Sequence, residues 1–361
     1  MKDENIFSRI LESACVGLAG GVLFSLLHLP LPWMLGPLAA VAIWRLKTSR
    51  PQKWPPIFRK IAMIVFGYLL GASFTPDTAM LITRHLPYMA VTTLTLVFAS
   101  VLLGWWIARL LKIGTRNGIY GFIPGGFSQL MVVIDGSEKL ETTLIAFMQT
   151  LRAVTVIFLV PFITMHFILP DEAPLSAALP QSQEPASILS CALYFLLAVT
   201  GALVGNYLRL PGAYLVGSLV ITAILAGSGL NVPPMPSLLV TLGQVSLGIS
   251  LGLKIDPKEI RNVAKMLAYT VGTSLLLVLL AWLQAVFLTL LTPIDLKTAF
   301  LSTAPGGIAE MGVTAMIVEA DLPLVTAYQI FRLFFIMLVV VPFCQWMLSR
   351  TAKKQAHADG C

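Results

Sequence analysis

The chain has 361 residues, 57% hydrophobic and 11% charged, with 24 Lys and Arg against 17 Asp and Glu for a net charge of +7. An ordinary soluble domain is about 45–50% apolar and about 25% charged, and a protein of this size must cover its outside with charge if water surrounds it. A soluble enzyme, a DNA-binding regulator and a disulfide-stapled secreted domain are therefore excluded: the solvent is lipid, and at about 20 residues per membrane helix the apolar content suffices for about ten spans.

In chain order, helices are expected over Ile10 to Leu27, Trp33 to Trp44 behind the turn at Leu29-Pro30, a glycine-dotted stretch from Ile61 to Phe74, and Leu86 to Leu111. An apolar stretch from Gly118 to Ile134 is broken at Pro124-Gly125-Gly126, and a long helix from Leu144 to Ile168 carries Gln149 and Arg152. Residues 170–186 hold three acids, four prolines and no basic residue, and read as an extramembrane linker. The series then returns as Ile188 to Leu208, Ala213 to Ala226, Leu238 to Leu253, Met266 to Leu291, a stretch from Thr298 to Val318 broken at Pro305-Gly306-Gly307, and Pro323 to Leu348 with Gln329 and Arg332. The chain thus divides into a first membrane repeat (10–169), the linker, a second membrane repeat (187–349) and a cytoplasmic tail (350–361).

The two halves keep one register. At an offset of 181, Gly20 matches Gly201, Leu29-Pro30 matches Leu210-Pro211, Gly36 matches Gly217, and Gly67 and Gly71 match Gly248 and Gly252. The two Pro-Gly-Gly triplets and Pro161-Phe162 with Pro342-Phe343 hold the same offset, and Gln149 and Arg152 match Gln329 and Arg332 after one skipped residue. Chance similarity of apolar runs aligns leucines; it does not hold Gly, Pro, Gln and Arg in register, so this is a duplication.

Basic loops decide whether the halves are parallel. Arg45, Lys47, Arg50, Lys53, Arg59 and Lys60 crowd the second loop of the first half, whereas Gly227 to Ser237 in the second half has none. Lys254, Lys258, Arg261 and Lys265 crowd the third loop of the second half, whose counterpart has only Arg84. Opposite bias means an odd number of crossings per half. The expected fold is all-α and polytopic, an inverted repeat of about five spanning helices plus one broken or re-entrant element each, with both termini cytoplasmic. Basic residues placed this way orient the chain against anionic headgroups and call for no nucleic-acid partner.

A Pro-Gly-Gly break at membrane depth must be buried in protein or line a cavity, because lipid satisfies no backbone group. It frees N–H groups at the start of the next half-helix, and those donors suit an anion. Each break is followed by a polar side chain, Gln129 or Glu310. Glu310 is the one acid deep in a predicted membrane segment; it can exchange protons, coordinate sodium, or pair with Arg152 or Arg332. The candidate substrate and ion site is therefore Pro124, Gly125, Gly126, Gln129, Gln149 and Arg152 with Pro305, Gly306, Gly307, Glu310, Gln329 and Arg332. Two arginines facing one acid favour an anionic solute, whereas the remaining paired glycines suit close helix packing. His28, His85, His166 and His357 lie far apart and Cys15, Cys191, Cys344 and Cys361 have no ligand spacing, so no metal site or cofactor is expected. Nor is a nucleotide-binding loop present.

The doubled set of Leu-Pro, Pro-Gly-Gly and Gln-x-x-Arg motifs resembles the AbrB family of bacterial inner-membrane proteins, linked to gene regulation and also labelled ammonia monooxygenase. The resemblance implies a multi-pass inner-membrane protein and no defined substrate. The leading expectation is a secondary transporter or exporter of a small, anionic solute coupled to protons or sodium, not an enzyme. The alternatives are a membrane sensor affecting gene expression and, by label alone, an oxygenase. Its partners are the lipid bilayer, the solute, H+ or Na+, and in one reading a second copy in a homodimer.

Overall fold

A computed structural model describes residues 2–48, 50, 52–123, 141–168, 188–255 and 263–343, and among these every regular element is helical. In lipid this is what backbone chemistry allows, since a helix satisfies its own N–H and C=O groups. The first half runs α1 (Lys2–Leu26), α2 (Pro32–Thr48), α3 (Pro56–Ala72), α4 (Thr78–Leu111), α5 (Thr115–Phe122) and α6 (Thr142–Ile163), the last extended by a π-turn at Thr164–Ile168. The second half runs α7 (Ile188–Tyr207), α8 (Ala213–Gly227), α9 (Ser237–Gly252), α10 (Val263–Leu291), α11 (Leu296–Thr303), α12 (Ile308–Ile317) and α13 (Leu322–Phe335), followed by a π-turn at Ile336–Val340. The expected order holds, with two early starts. Helix α1 begins at Lys2 rather than Ile10, and α4 begins at Thr78 and carries Pro87 inside it. A proline removes a single intrahelical hydrogen bond while its fixed φ suits a helix, and buried His85 and Met89 hold that turn in place.

Among the described residues, six helices are long and apolar enough to cross a bilayer: α1, α4 and α6 in the first half, and α7, α10 and α13 in the second. The second and third helices of each half are shorter, 17 and 17 residues in α2 and α3 and 15 and 16 in α8 and α9. At 1.5 Å per residue these reach about 22–26 Å, less than a hydrocarbon core of about 30 Å. Helix α2 buries Met34, Leu35, Leu38 and Val41 among others. Long and short helices alike present apolar side chains outward, Phe98 of α4 and Leu290 of α10 beside Ile224 of α8 and Leu238 of α9. A second buried cluster joins α4, α6, α10 and α13 with α11 and α12.

The halves interlock through the short helices: α3 packs on α8 and α9 packs on α2. Glycine makes this approach possible. A Cβ on Gly71 would lie 2.6 Å from Leu219 O, and one on Gly252 2.7 Å from Leu38 O. The same pair of contacts thus occurs twice with the halves exchanged. The turn before each second helix is also the same: His28 (φ 52) and Leu31 (φ 48) match Arg209 (φ 54) and Gly212 (φ 64). Leu31 holds the left-handed conformation without being glycine, at a cost of about 1–2 kcal/mol that its burial offsets.

Candidate functional site

Pro305 has no N–H with which to prolong α11, and the backbone is extended at Ala304 (φ −57, ψ 135) and Gly307 (φ −85, ψ 155) before α12 begins. The last carbonyls of α11 are then left without intrahelical donors in the interior of the protein. Helix α13 supplies them. Gln329 Nε2 donates to Leu301 O at 2.7 Å and Ala304 O at 3.2 Å. Arg332 donates from Nη1 to Ala304 O at 2.6 Å and Thr303 O at 3.5 Å, and from Nη2 to Gly306 O at 2.7 Å and to Gln329 Oε1. The Gln-x-x-Arg spacing brings both side chains to one face a turn apart, and it sets a cation at the negative end of α11.

The first half repeats this chemistry on α5. Gln149 Nε2 donates to Tyr120 O at 2.8 Å and Arg152 Nη1 to Phe122 O at 3.2 Å. Among the described residues Arg152 donates to that one carbonyl, and its buried Nε has no hydrogen-bond partner there.

Glu310 is the third residue of α12 and is 8% exposed. Its carboxylate folds back over the start of the helix, so close to Gly307 that a Cβ there would strike it. The expectation of free helix N–H groups for a solute is thus modified, because the nearest carboxylate is the chain's own. The expected pairing with an arginine is corrected too. Among the described residues no ion pair joins Glu310 to Arg152 or Arg332, since both guanidinium groups are drawn to the carbonyls of broken helices. The charges acting on Glu310 are Arg59, near the start of α3, and Lys254, just past the end of α9. The Lys254 ammonium is pushed down to about 8, first by burial and then by Arg59, against an opposing pull from Glu310.

These groups line one cavity of about 290 Å³. Its wall takes Arg59 and Met63 from α3, Gln149, Arg152 and Ile157 from α6, Leu215 and Val216 from α8, Lys254, the break from Pro305 to Glu310, and Gln329 and Arg332 from α13. Eight of the twelve expected site residues therefore meet: Gln149, Arg152, Pro305, Gly306, Gly307, Glu310, Gln329 and Arg332. Pro124, Gly125, Gly126 and Gln129 lie outside the described residues. Arg59 and Lys254 escaped the sequence reading because their loops were counted for orientation alone. Four cations and one carboxylate face a small space, which suits an anion.

The fold and site define a polytopic, all-helical integral membrane protein with a charged cavity at a helix break. The chain belongs to the AbrB family: the family described as "Transition state regulatory protein AbrB" matches residues 33–348. It is similar to the "Putative regulator AbrB" of Escherichia coli K12, with 27% identity over 92% of this chain and 94% of that one. It is also similar to the "Uncharacterized protein YhjN" of Bacillus subtilis 168, with 24% identity over 95% of this chain and 94% of that one.

Proposed function

We propose that this protein is a secondary transporter of a small anionic solute in the bacterial inner membrane, built as an inverted repeat with both termini cytoplasmic. The observation that carries the reading is the cavity, in which Arg59, Arg152, Lys254 and Arg332 surround Glu310 at the break of α11 and α12. Discontinuous helices meeting between two repeats are a recurrent way to hold an ion and a solute near the midplane. Arg59 at the start of α3 and Lys254 after α9 share one mouth, as antiparallel third helices require, and the basic loops make that mouth cytoplasmic. Glu310 is the group that takes a proton or sodium as the solute moves.

The test is the melting temperature of purified protein against inorganic phosphate and mono-, di- and tricarboxylates, repeated across pH and sodium concentration. A ligand at a hundred times its Kd stabilises the protein by about 2.7 kcal/mol. At least one of these anions should raise the melting temperature of wild type and not of Arg152→Gln, and Glu310→Gln should remove the dependence on sodium, or on pH in the range where Lys254 keeps its charge. If none stabilises wild type, the anion reading fails. The regulator in the E. coli relative's name supports a second reading, a sensor using the same cavity. Binding without uptake into proteoliposomes would favour it.

A further inference from the structure

The cavity accounts for Glu310 but not for a second buried ionisable group, His85 in α4, whose Nδ1 lies 3.2 Å from the Tyr328 hydroxyl of α13. His85 is 6% exposed and Tyr328 3%. Arg84, the neighbour of His85 on α4, and Asp321, whose charge acts on the imidazole, line with Asp77 a vestibule of about 450 Å³ at the end of α3 opposite Arg59. Tyr328 borders a void of about 10 Å³ with Thr93, Ser302 and Arg332. That is the lower limit for one water. Ser302 Oγ, 2% exposed, borders the void and has no hydrogen-bond partner among the described residues. Arg332 belongs both to the void and to the central cavity. Asp321, Tyr328 and Arg332 are spaced seven and four residues apart, so they lie along one face of α13. A buried polar stripe in an otherwise apolar bundle needs a reason, because each such group costs free energy unless it is used or paired.

We propose that this stripe is the path by which protons pass from the extracytoplasmic vestibule to the central cavity, with His85 as the proton carrier. The inference rests on the transporter reading. In each passage His85 binds a proton from vestibule water and gives its Nδ1 proton to the Tyr328 oxygen as that hydroxyl passes its own proton to a water beside Ser302. Tyr328 remains neutral, and the imidazole is left neutral with its proton on Nε2; rotation of the hydroxyl and return of the ring to the Nδ1–H tautomer by proton exchange with vestibule water precede the next passage. The groups facing His85 are Asp321 and Tyr328 from α13 and Arg84 and Tyr88 on its own helix, while α10 presents Trp282 to this region and no charge. The positive charge of Arg332 does not close the lower end, because three backbone carbonyls and Gln329 Oε1 take its donors.

Two readings of full-length protein test the path. In detergent, [15N]histidine spectra with His85 assigned by its loss in His85→Gln should show the His85 ring nitrogens shifting as the pH is lowered. In proteoliposomes holding pyranine, with external phosphate or succinate as probe, an acid step should drive proton entry that His85→Gln and Tyr328→Phe slow about a hundredfold. Both variants should keep the wild-type rise in melting temperature on adding the probe. A His85 resonance that does not move with pH, variants with wild-type entry, or wild-type entry no faster than in empty liposomes despite a bound probe would each overturn the path. If neither probe binds wild type, the anion reading fails by itself and the His85 titration decides the path.

Discussion

Replacing Arg332 by Gln should destabilise the protein much more than replacing Arg152 by Gln, although the two arginines occupy matching places in the duplicated sequence. Arg332 donates to Ala304 O at 2.6 Å and Gly306 O at 2.7 Å, two good charge-assisted bonds, with a marginal third to Thr303 O at 3.5 Å. A hydrogen bond to a charged group contributes about 1.5–3 kcal/mol, so the two good bonds together represent about 3–6 kcal/mol. A glutamine one turn below, already committed to Leu301 O and Ala304 O, cannot take over these carbonyls. Among the described residues Arg152 donates to a single carbonyl at 3.2 Å, a bond whose removal should cost about 1–2 kcal/mol. The assay is reversible unfolding of both variants in one mixed-micelle system, with melting temperature as a second measure. Equal losses would refute the capping argument. So would a greater loss in Arg152→Gln, because the count of satisfied carbonyls would then not set the stability of the break.

The interlocked short helices give a second prediction. Gly71→Ala and Gly252→Ala should each cost about 1–3 kcal/mol, because the new methyl meets the backbone of α8 or α2. Gly272→Ala is the control: no atom lies within 4 Å of its Cβ position, so this change should be neutral or stabilising by up to about 1 kcal/mol, and an equal loss at all three would remove the packing explanation. A third concerns pH. Lys254 carries its charge below about 8 and loses it above, so anion binding should weaken as pH rises through that value. In Lys254→Arg the affinity should persist to higher pH, and an unchanged profile would exclude Lys254 from the site. Finally, a periplasm-active reporter fused at Ser182 should be active and one at Lys53 inactive; the same behaviour at both positions would restore parallel halves.

Much of this architecture was legible in the sequence because lipid makes exceptions conspicuous. Proline and paired glycines inside an apolar stretch mark a break wherever they occur, and Pro305-Gly306-Gly307 does separate α11 from α12. Gln149, Arg152, Gln329, Arg332 and Glu310 stood out for the same reason, and they line one cavity. What the arginines bind was not legible. Counting charges pairs a buried guanidinium with the nearest acid, but a broken helix exposes carbonyls that carry no formal charge and no residue letter. Lengths, by contrast, were legible: the expected Ala213 to Ala226 and Leu238 to Leu253 end within one residue of α8 and α9. Arg59 and Lys254 were hidden by their position. Short third helices carry their ends, and the charges on them, inward to the cavity rather than out to the headgroups.

That last point links the lengths of the helices to the chemistry of the site. A full-length span would place residues at its ends about 15 Å from the midplane, whereas α9 at 16 residues ends about 12 Å from its own centre. Lys254 follows two residues later and is still buried enough for its ammonium to be pushed down to about 8. Lipid tolerates such shortening poorly on a helix that it surrounds, but α3 packs against α8 and α9 against α2. The exchange of short helices between halves therefore both closes the core through glycine contacts and draws loop cations to within reach of Glu310. Lengthening α9 by one turn before Lys254 would carry that cation about 6 Å along the axis while leaving its helix contacts in register. Anion affinity should then fall with little change in melting temperature. An affinity equal to that of wild type would show that the short helices serve packing alone.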